Sequence, residues 1–181
     1  MAVLIPVAHG SESLETVAIA NLLRRAELSV TLASIESTIT VSATRGLTLT
    51  ADAFLADVAG KDFDLIVLPG GEKGARAFTS HKMLMEKLRA QRIAHKWYGA
   101  ICAAPALTLE PHGLLDGKKA TCYPAFKDKL LHYVNQPVVV DGHCVTSQGP
   151  ATAIAFGLKL AELLAGTDMA KQVAADVLAV G

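Results

Sequence analysis

Neither sign of charge is in excess in this chain: 17 Lys and Arg offset 17 Asp and Glu, with no basic run and no basic stretch interleaved with aromatics. A surface that tracks phosphates needs such a patch, so composition predicts no dedicated nucleic-acid site. Long apolar runs are lacking too. No uncharged segment approaches transmembrane length, and Met1-Ala2-Val3-Leu4-Ile5-Pro6 has no basic n-region and breaks at proline before a signal-peptide core forms. The expectation is a soluble cytoplasmic protein with no membrane partner. Cysteine is scarce: Cys102, Cys122 and Cys144 form an odd set without CxxC or His/Cys metal spacing. That predicts reduced thiols, with neither a disulfide framework nor a metal site. The six histidines show no HxxxH or HxH spacing, and Ser11 and Ser13 lack a GxSxG context, which removes support for a serine hydrolase. Pro69-Gly70-Gly71-Glu72-Lys73-Gly74 fits neither GxxxxGK[ST] nor GxGxxG, so a nucleotide cofactor has little support and none is expected.

What is present is apolar and periodic. A chain of 181 residues, 51% hydrophobic, suits one α/β domain spanning 1–181 with a sizeable core. Ala2 to Ala8 reads as a strand, and Ser13 to Ala26 as a helix whose Leu14, Ala18 and Leu22 form an inward stripe, with Val17 beside it. Ser29 to Ile35 alternates as a strand, so strand, helix, strand begins a parallel sheet. Thr38 to Ala43 alternates again, Thr44-Arg45-Gly46 turns, Leu47 to Thr50 adds an extended piece, and Ala53 to Val58 a short helix. Asp64 to Leu68 is the kind of run buried on both faces, and it ends in Pro69-Gly70-Gly71 at a carboxyl sheet edge, where open α/β sheets bind ligands. A helix from Lys82 to His95 leads to the strand Trp97–Ile101, and Lys119 to Cys122 reads as a strand. Pro124 opens a short helix through Leu131, Val138 to Thr146 a hairpin around a type I′ turn, and two helices close the chain, the second from Asp168 to Val180.

Two residues stand out chemically. Cys102 sits where a strand runs into a helix, flanked by Ala100, Ala103 and Ala104. A strand-to-helix corner pushes a side chain clear of the backbone, and unpaired N–H groups there favour a thiolate, with Gly71 and Ala103 able to hold an oxyanion. A buried structural cysteine is the alternative. Glu15, near the start of the first helix, either borders the same sheet edge or is a solvated first-turn glutamate favouring the helix dipole, and Glu12 competes for either role.

Four segments then carry a resemblance: Leu68-Pro69-Gly70-Gly71, Ala100-Ile101-Cys102-Ala103-Ala104-Pro105, Tyr123-Pro124-Ala125-Phe126-Lys127-Asp128-Lys129 and Thr146-Ser147-Gln148-Gly149-Pro150. In order and spacing the chain resembles the ThiJ/PfpI superfamily, nearest the branch of the parkinsonism-associated protein deglycase and the bacterial chaperone/deglycase YajL. The resemblance implies a flavodoxin-like three-layer α/β sandwich with a mostly parallel central sheet and a nucleophile-elbow cysteine, and a homodimer. It implies Cys102 as the reactive and oxidisable residue and Glu15 as a protonated partner of its sulfur. It further implies an anion and substrate site at Gly70, Gly71 and Ala103, with Arg45 near the pocket and dimer interface. The implied substrates are methylglyoxal, glyoxal and glycated protein or nucleotide adducts. The rival implication is an oxidation-sensing chaperone with unfolded clients, and a third is another small-molecule hydrolase or hydratase. Two departures bear on mechanism. Tyr123 stands where some relatives carry histidine, so no Cys–His dyad is available there, and Ala103 replaces the histidine of the peptidase branch.

Overall fold

The computed structural model describes residues 1–179. Its sheet grows from the apolar run β1 (Ala2–Val7), which is followed by α1 (Ser13–Arg25) and β2 (Ser29–Ser34). A two-stranded antiparallel ribbon, β3 (Thr40–Ser42) and β4 (Thr48–Thr50), stands apart from that sheet, and β5 (Ala53–Phe54) and α2 (Leu55–Val58) return to it. Next come β6 (Leu65–Leu68), α3 (Glu72–Ser80), α4 (Lys82–Ile93) and β7 (Trp97–Ile101). The hairpin β8 (Val138–Asp141) and β9 (Cys144–Ser147) precedes α5 (Ala153–Ala165) and α6 (Thr167–Asp176). The strand order is β5-β2-β1-β6-β7-β9-β8, parallel throughout except for β8 against β9.

Parallel strands need crossovers, and these place α1, α5 and α6 together on one side and α3, α4 and the turn after β7 on the other. The central strands are therefore covered on both faces, which is why Val3–Val7 and Leu65–Leu68 are uniformly buried. This is the flavodoxin-like α/β sandwich with a mostly parallel sheet. Successive strands are added on one side of β1 and then on the other, so the strand order switches between β1 and β6, and the carboxyl edge there is where open sheets of this kind place their ligand sites. Among the described residues no helix is long and apolar enough to cross a membrane.

Several elements differ from the sequence-based expectation. The inward stripe of α1 is not Leu14–Val17: those two are 54% and 52% exposed, and Glu15, Thr16, Ile19, Leu22 and Leu23 face the protein. Apolar periodicity misassigns this face because a carboxyl occupies an inward position. Glu72–Ser80 is helical although its start is glycine-rich, because Gly71 lies outside it as the N-cap. Ala53 and Phe54 extend the sheet edge instead of starting a helix. Lys119–Cys122 makes only the single bridge Ala120–Tyr133, and 124–129 is a 3₁₀ turn. In the β8–β9 hairpin only Gly142 has positive φ, whereas a type I′ turn needs both central residues there; one positive φ at the first position is the type II′ pattern. The last helix ends at Asp176, and Val180 lies outside the described residues.

Candidate functional site

Three segments meet at the carboxyl edge of β1, β6 and β7. The first turn of α1 brings Glu15, the loop after β6 brings Gly70 and Gly71, and the end of β7 brings Cys102. Cys102 takes a left-handed backbone, φ 64°, which turns the chain sharply off the strand. Its N–H donates to Ser147 O at 3.0 Å, and its carbonyl accepts from Tyr123 N at 2.7 Å, so the corner is tied to β9 and to the segment carrying Tyr123. The segment that follows, Pro105–Leu109, is π-helical, so no regular α-helix begins behind the sulfur.

Glu15 is fully buried. Its Oε2 accepts a hydrogen bond from Gly70 N at 2.8 Å, while Oε1 has no partner. A buried lone oxygen is costly as a carboxylate, and burial pushes the Glu15 pKa up to about 7, against the Gly70 hydrogen bond; the charge of Glu12 adds to the rise. At neutral pH much of Glu15 is thus a carboxylic acid, able to donate from the oxygen that otherwise has nothing to bond.

Gly70 explains how the two side chains come together. A Cβ added there would lie 2.4 Å from Cys102 Cβ and 2.5 Å from Glu15 Oε2, so the carboxyl and the cysteine flank the space above this residue. Gly71 has φ 85°, and a Cβ there would meet Gly10 O at 2.1 Å, so the two loops press backbone to backbone. The Gly70→Ala variant is expected to lose the site. Neither the Cys102 Cβ nor the Gly70-bonded Glu15 oxygen is free to swing away, so unfolding free energy falls by about 2–4 kcal/mol. Urea unfolding checks this, and a variant as stable as wild type would contradict the packing.

Electrostatics at the sulfur oppose the simplest expectation. Position at a corner predicts a thiolate, yet Cys102 is 9% exposed. Burial, with the charge of an ionised Glu15 behind it, pushes the Cys102 thiol up to about 12, while the amides of Gly71 and Ala103 pull the other way. The second of the upward causes depends on Glu15: once that carboxyl holds a proton its charge is gone and its O–H becomes a donor to sulfur. The thiolate therefore depends on where one shared proton sits, not on a helix terminus.

Glu15, Gly70, Gly71, Cys102 and Ala103 are thus brought together. Arg45 is not: it is exposed in the turn Thr44–Gly46 at φ 59°, and its guanidinium makes no hydrogen bond or ion pair among the described residues. Nothing in the sequence marks Ser147 as the residue whose carbonyl anchors Cys102, or shows the steric role of Gly70. The sequence leaves Glu12 as a rival to Glu15, whereas the structure makes it the N-cap of α1. The Glu-x-x-Glu spacing before an apolar run was the available signal for that cap.

With this geometry in place, comparison with known proteins is specific. A profile described as the DJ-1/PfpI family matches residues 1–163. Protein DJ-1 homolog B of Arabidopsis thaliana is 44% identical over 178 residues, 97% of this chain and 41% of its own length. The chain thus spans less than half of that relative. The glutathione-independent glyoxalase DJR-1.2 of Caenorhabditis elegans is 34% identical over 162 residues, 87% of this chain and 85% of its own. Oxidized DJ-1 of Toxoplasma gondii superposes with a TM-score of 0.96 at 41% identity, covering 98% of this chain and 97% of that one.

Proposed function

The chain belongs to the DJ-1/PfpI family, and from that premise we propose that it is a cysteine-dependent enzyme of the deglycase or glyoxalase type, protecting against carbonyl and oxidative stress. Its substrates on this reading are methylglyoxal, glyoxal and their early adducts with proteins or nucleotides. The observation that carries the proposal is the buried Glu15 carboxyl, one oxygen bonded to Gly70 and the other unpartnered, flanking the same space as Cys102. The name of the nematode relative, a glutathione-independent glyoxalase, supports it. The exposed Leu14 and Val17 on α1 support a homodimer as the working form.

The chemistry needs one proton carrier. The Cys102 proton passes to the Glu15 carboxylate, and the sulfur adds to the aldehyde carbon as the carbonyl electron pair moves to oxygen. The Gly71 and Ala103 amides hold that oxyanion until Glu15 returns the proton. In the resulting hemithioacetal the hydrogen on the sulfur-bearing carbon is taken as a proton by Glu15 and delivered to the neighbouring carbonyl carbon, while the hydroxyl proton passes to the oxygen of that carbonyl, leaving a thioester. One carbon is oxidised and the other reduced, so no external redox partner enters. Water cleaves the thioester, releasing lactate from methylglyoxal or glycolate from glyoxal and restoring the thiol. Proton NMR of the protein with methylglyoxal and no added thiol tests this: lactate is expected to accumulate over many turnovers, and its absence would overturn the proposal.

A second reading draws on the same amides. Two molecules of hydrogen peroxide, each giving one oxygen and leaving as water, convert the Cys102 thiol to a sulfinic acid. As the sulfinate, it would be held by the Gly71 and Ala103 amides and a neutral Glu15. The oxidized state of the Toxoplasma relative supports this redox-sensing, chaperone-type role. Mild peroxide followed by peptide mass spectrometry is expected to place a two-oxygen gain on Cys102 and leave the buried Cys122 and Cys144 unchanged. Equal modification of all three sinks the sensing role.

A further inference from the structure

We infer that Glu12 is a positioning residue of this site: it fixes Glu15 against Gly70 and biases that carboxyl to hold the proton it shares with Cys102. The inference rests on reading Cys102 and Glu15 as the reacting pair.

The hydrogen bonds close a ring through both loops. Glu12 N–H donates to Gly70 O at 2.9 Å, Gly70 N–H donates to Glu15 Oε2 at 2.8 Å, and Glu15 N–H donates to Glu12 Oε2 at 2.9 Å. The remaining Glu12 oxygen, Oε1, accepts from the Thr44 hydroxyl at 2.9 Å. Thr44 is held in turn, its N–H donating to Ser11 O at 3.0 Å and its hydroxyl oxygen accepting from Ser13 N at 3.2 Å. Both Glu12 oxygens accept bonds, and the residue is only partly buried. Glu15, one helical turn on, is wholly buried with one oxygen unpartnered.

The pattern is a redirected capping box. Ordinarily an N-cap side chain bonds the N–H three residues on, and the Glu at that third position reaches back to the N-cap N–H. Here Glu12 makes the first bond, but the N-cap N–H goes to Gly70 O and the Glu15 side chain goes to Gly70 N. The Gly70 peptide has taken the place of the reciprocal half, which turns Glu15 into the site. Glutamate is also not among the favoured N-cap residues; Ser, Thr, Asp and Asn cap better. Helix stability alone does not call for Glu12. A negative charge one turn from a buried carboxyl raises the cost of ionising it. The groups bearing on Glu15 are Glu12 from its own helix, through its charge, and Cys102 from the end of β7, through a hydrogen bond that favours the carboxylate, while the β6 loop presents the Gly70 peptide.

Infrared titration of the unliganded protein tests this without any turnover, so an enzyme inactive on aldehydes still gives an answer. The carboxylic-acid carbonyl band of Glu15 is identified by its loss in Glu15→Gln. In Glu12→Gln, which keeps the length and an acceptor but not the charge, the band is expected to disappear at a pH lower by about half a unit or more. Glu12→Asp, which keeps the charge, is expected to titrate nearer to wild type. Thr44→Val loosens the anchor without touching the charge and is expected to leave the midpoint in place. An unchanged midpoint in a folded Glu12→Gln protein overturns the inference, as does a Thr44→Val midpoint that moves as far as that of Glu12→Gln.

Discussion

Replacing Cys102 by serine is expected to lower lactate formation from methylglyoxal at least ~1,000-fold while leaving the fold intact. The two halves of that outcome have separate causes. Serine is smaller by little and keeps the backbone N–H that donates to Ser147 O, so the corner after β7 survives, and the thermal midpoint is expected to correspond to a change within about 1 kcal/mol. The hydroxyl, however, is far less acidic than a thiol, and a buried Glu15 whose pKa is about 7 cannot hold its proton. No nucleophile forms, and the Gly71 and Ala103 amides face an uncharged oxygen. Cys102→Ala is expected to fall equally far. Steady-state rates for both variants, with circular dichroism melts on the same samples, check the claim. A serine variant within tenfold of wild type would place the chemistry elsewhere.

The sheet was legible because its strands are short apolar runs ending in turn residues, and a strand buried on both faces, such as Leu65–Leu68, has one reading. Cys102 and Gly71 were legible for a related reason: a small-residue corner and a glycine pair fall at strand ends, where the sheet geometry places ligands. Legibility failed where a residue's direction depends on a distant partner. Nothing local in Ser13-Leu14-Glu15 says that Glu15 turns inward and Leu14 outward; the Gly70 amide, 55 residues away in sequence, decides it. The same holds for the thiol. A corner position argues for a thiolate, whereas burial by α1 and the β6 loop argues against one, and only the assembled site shows that both act on one sulfur. Arg45 lies in a turn whose neighbour Thr44 grips Glu12, yet its own side chain points to no group within the chain's described residues.

Glu15→Gln is expected to be more stable than wild type at pH 8, by about 3 kcal/mol, and to lose about three-quarters of that advantage by pH 5. The sign follows from the carboxyl. In the unfolded chain it titrates near 4.5, and in the folded protein burial raises it to about 7. Below 4.5 both states hold the proton and Glu15 costs nothing. Between 4.5 and 7 the unfolded chain releases it while the folded protein keeps it, so wild-type stability declines as pH rises. Above 7 the decline is complete and constant. Glutamine is neutral throughout: its carbonyl accepts the Gly70 N–H and its NH₂ faces the sulfur, so that decline is absent. Urea unfolding of the two proteins at pH 5 and pH 8 gives the comparison, with turnover measured alongside. A glutamine variant less stable than wild type at pH 8 would mean that Glu15 gains more from its contacts than it loses by burial. A buried acid with one unpartnered oxygen would then need no functional explanation. The expected result would support the proposed role, since a group that weakens the fold at working pH while bonding the loop beside the thiol is what a proton carrier for Cys102 requires.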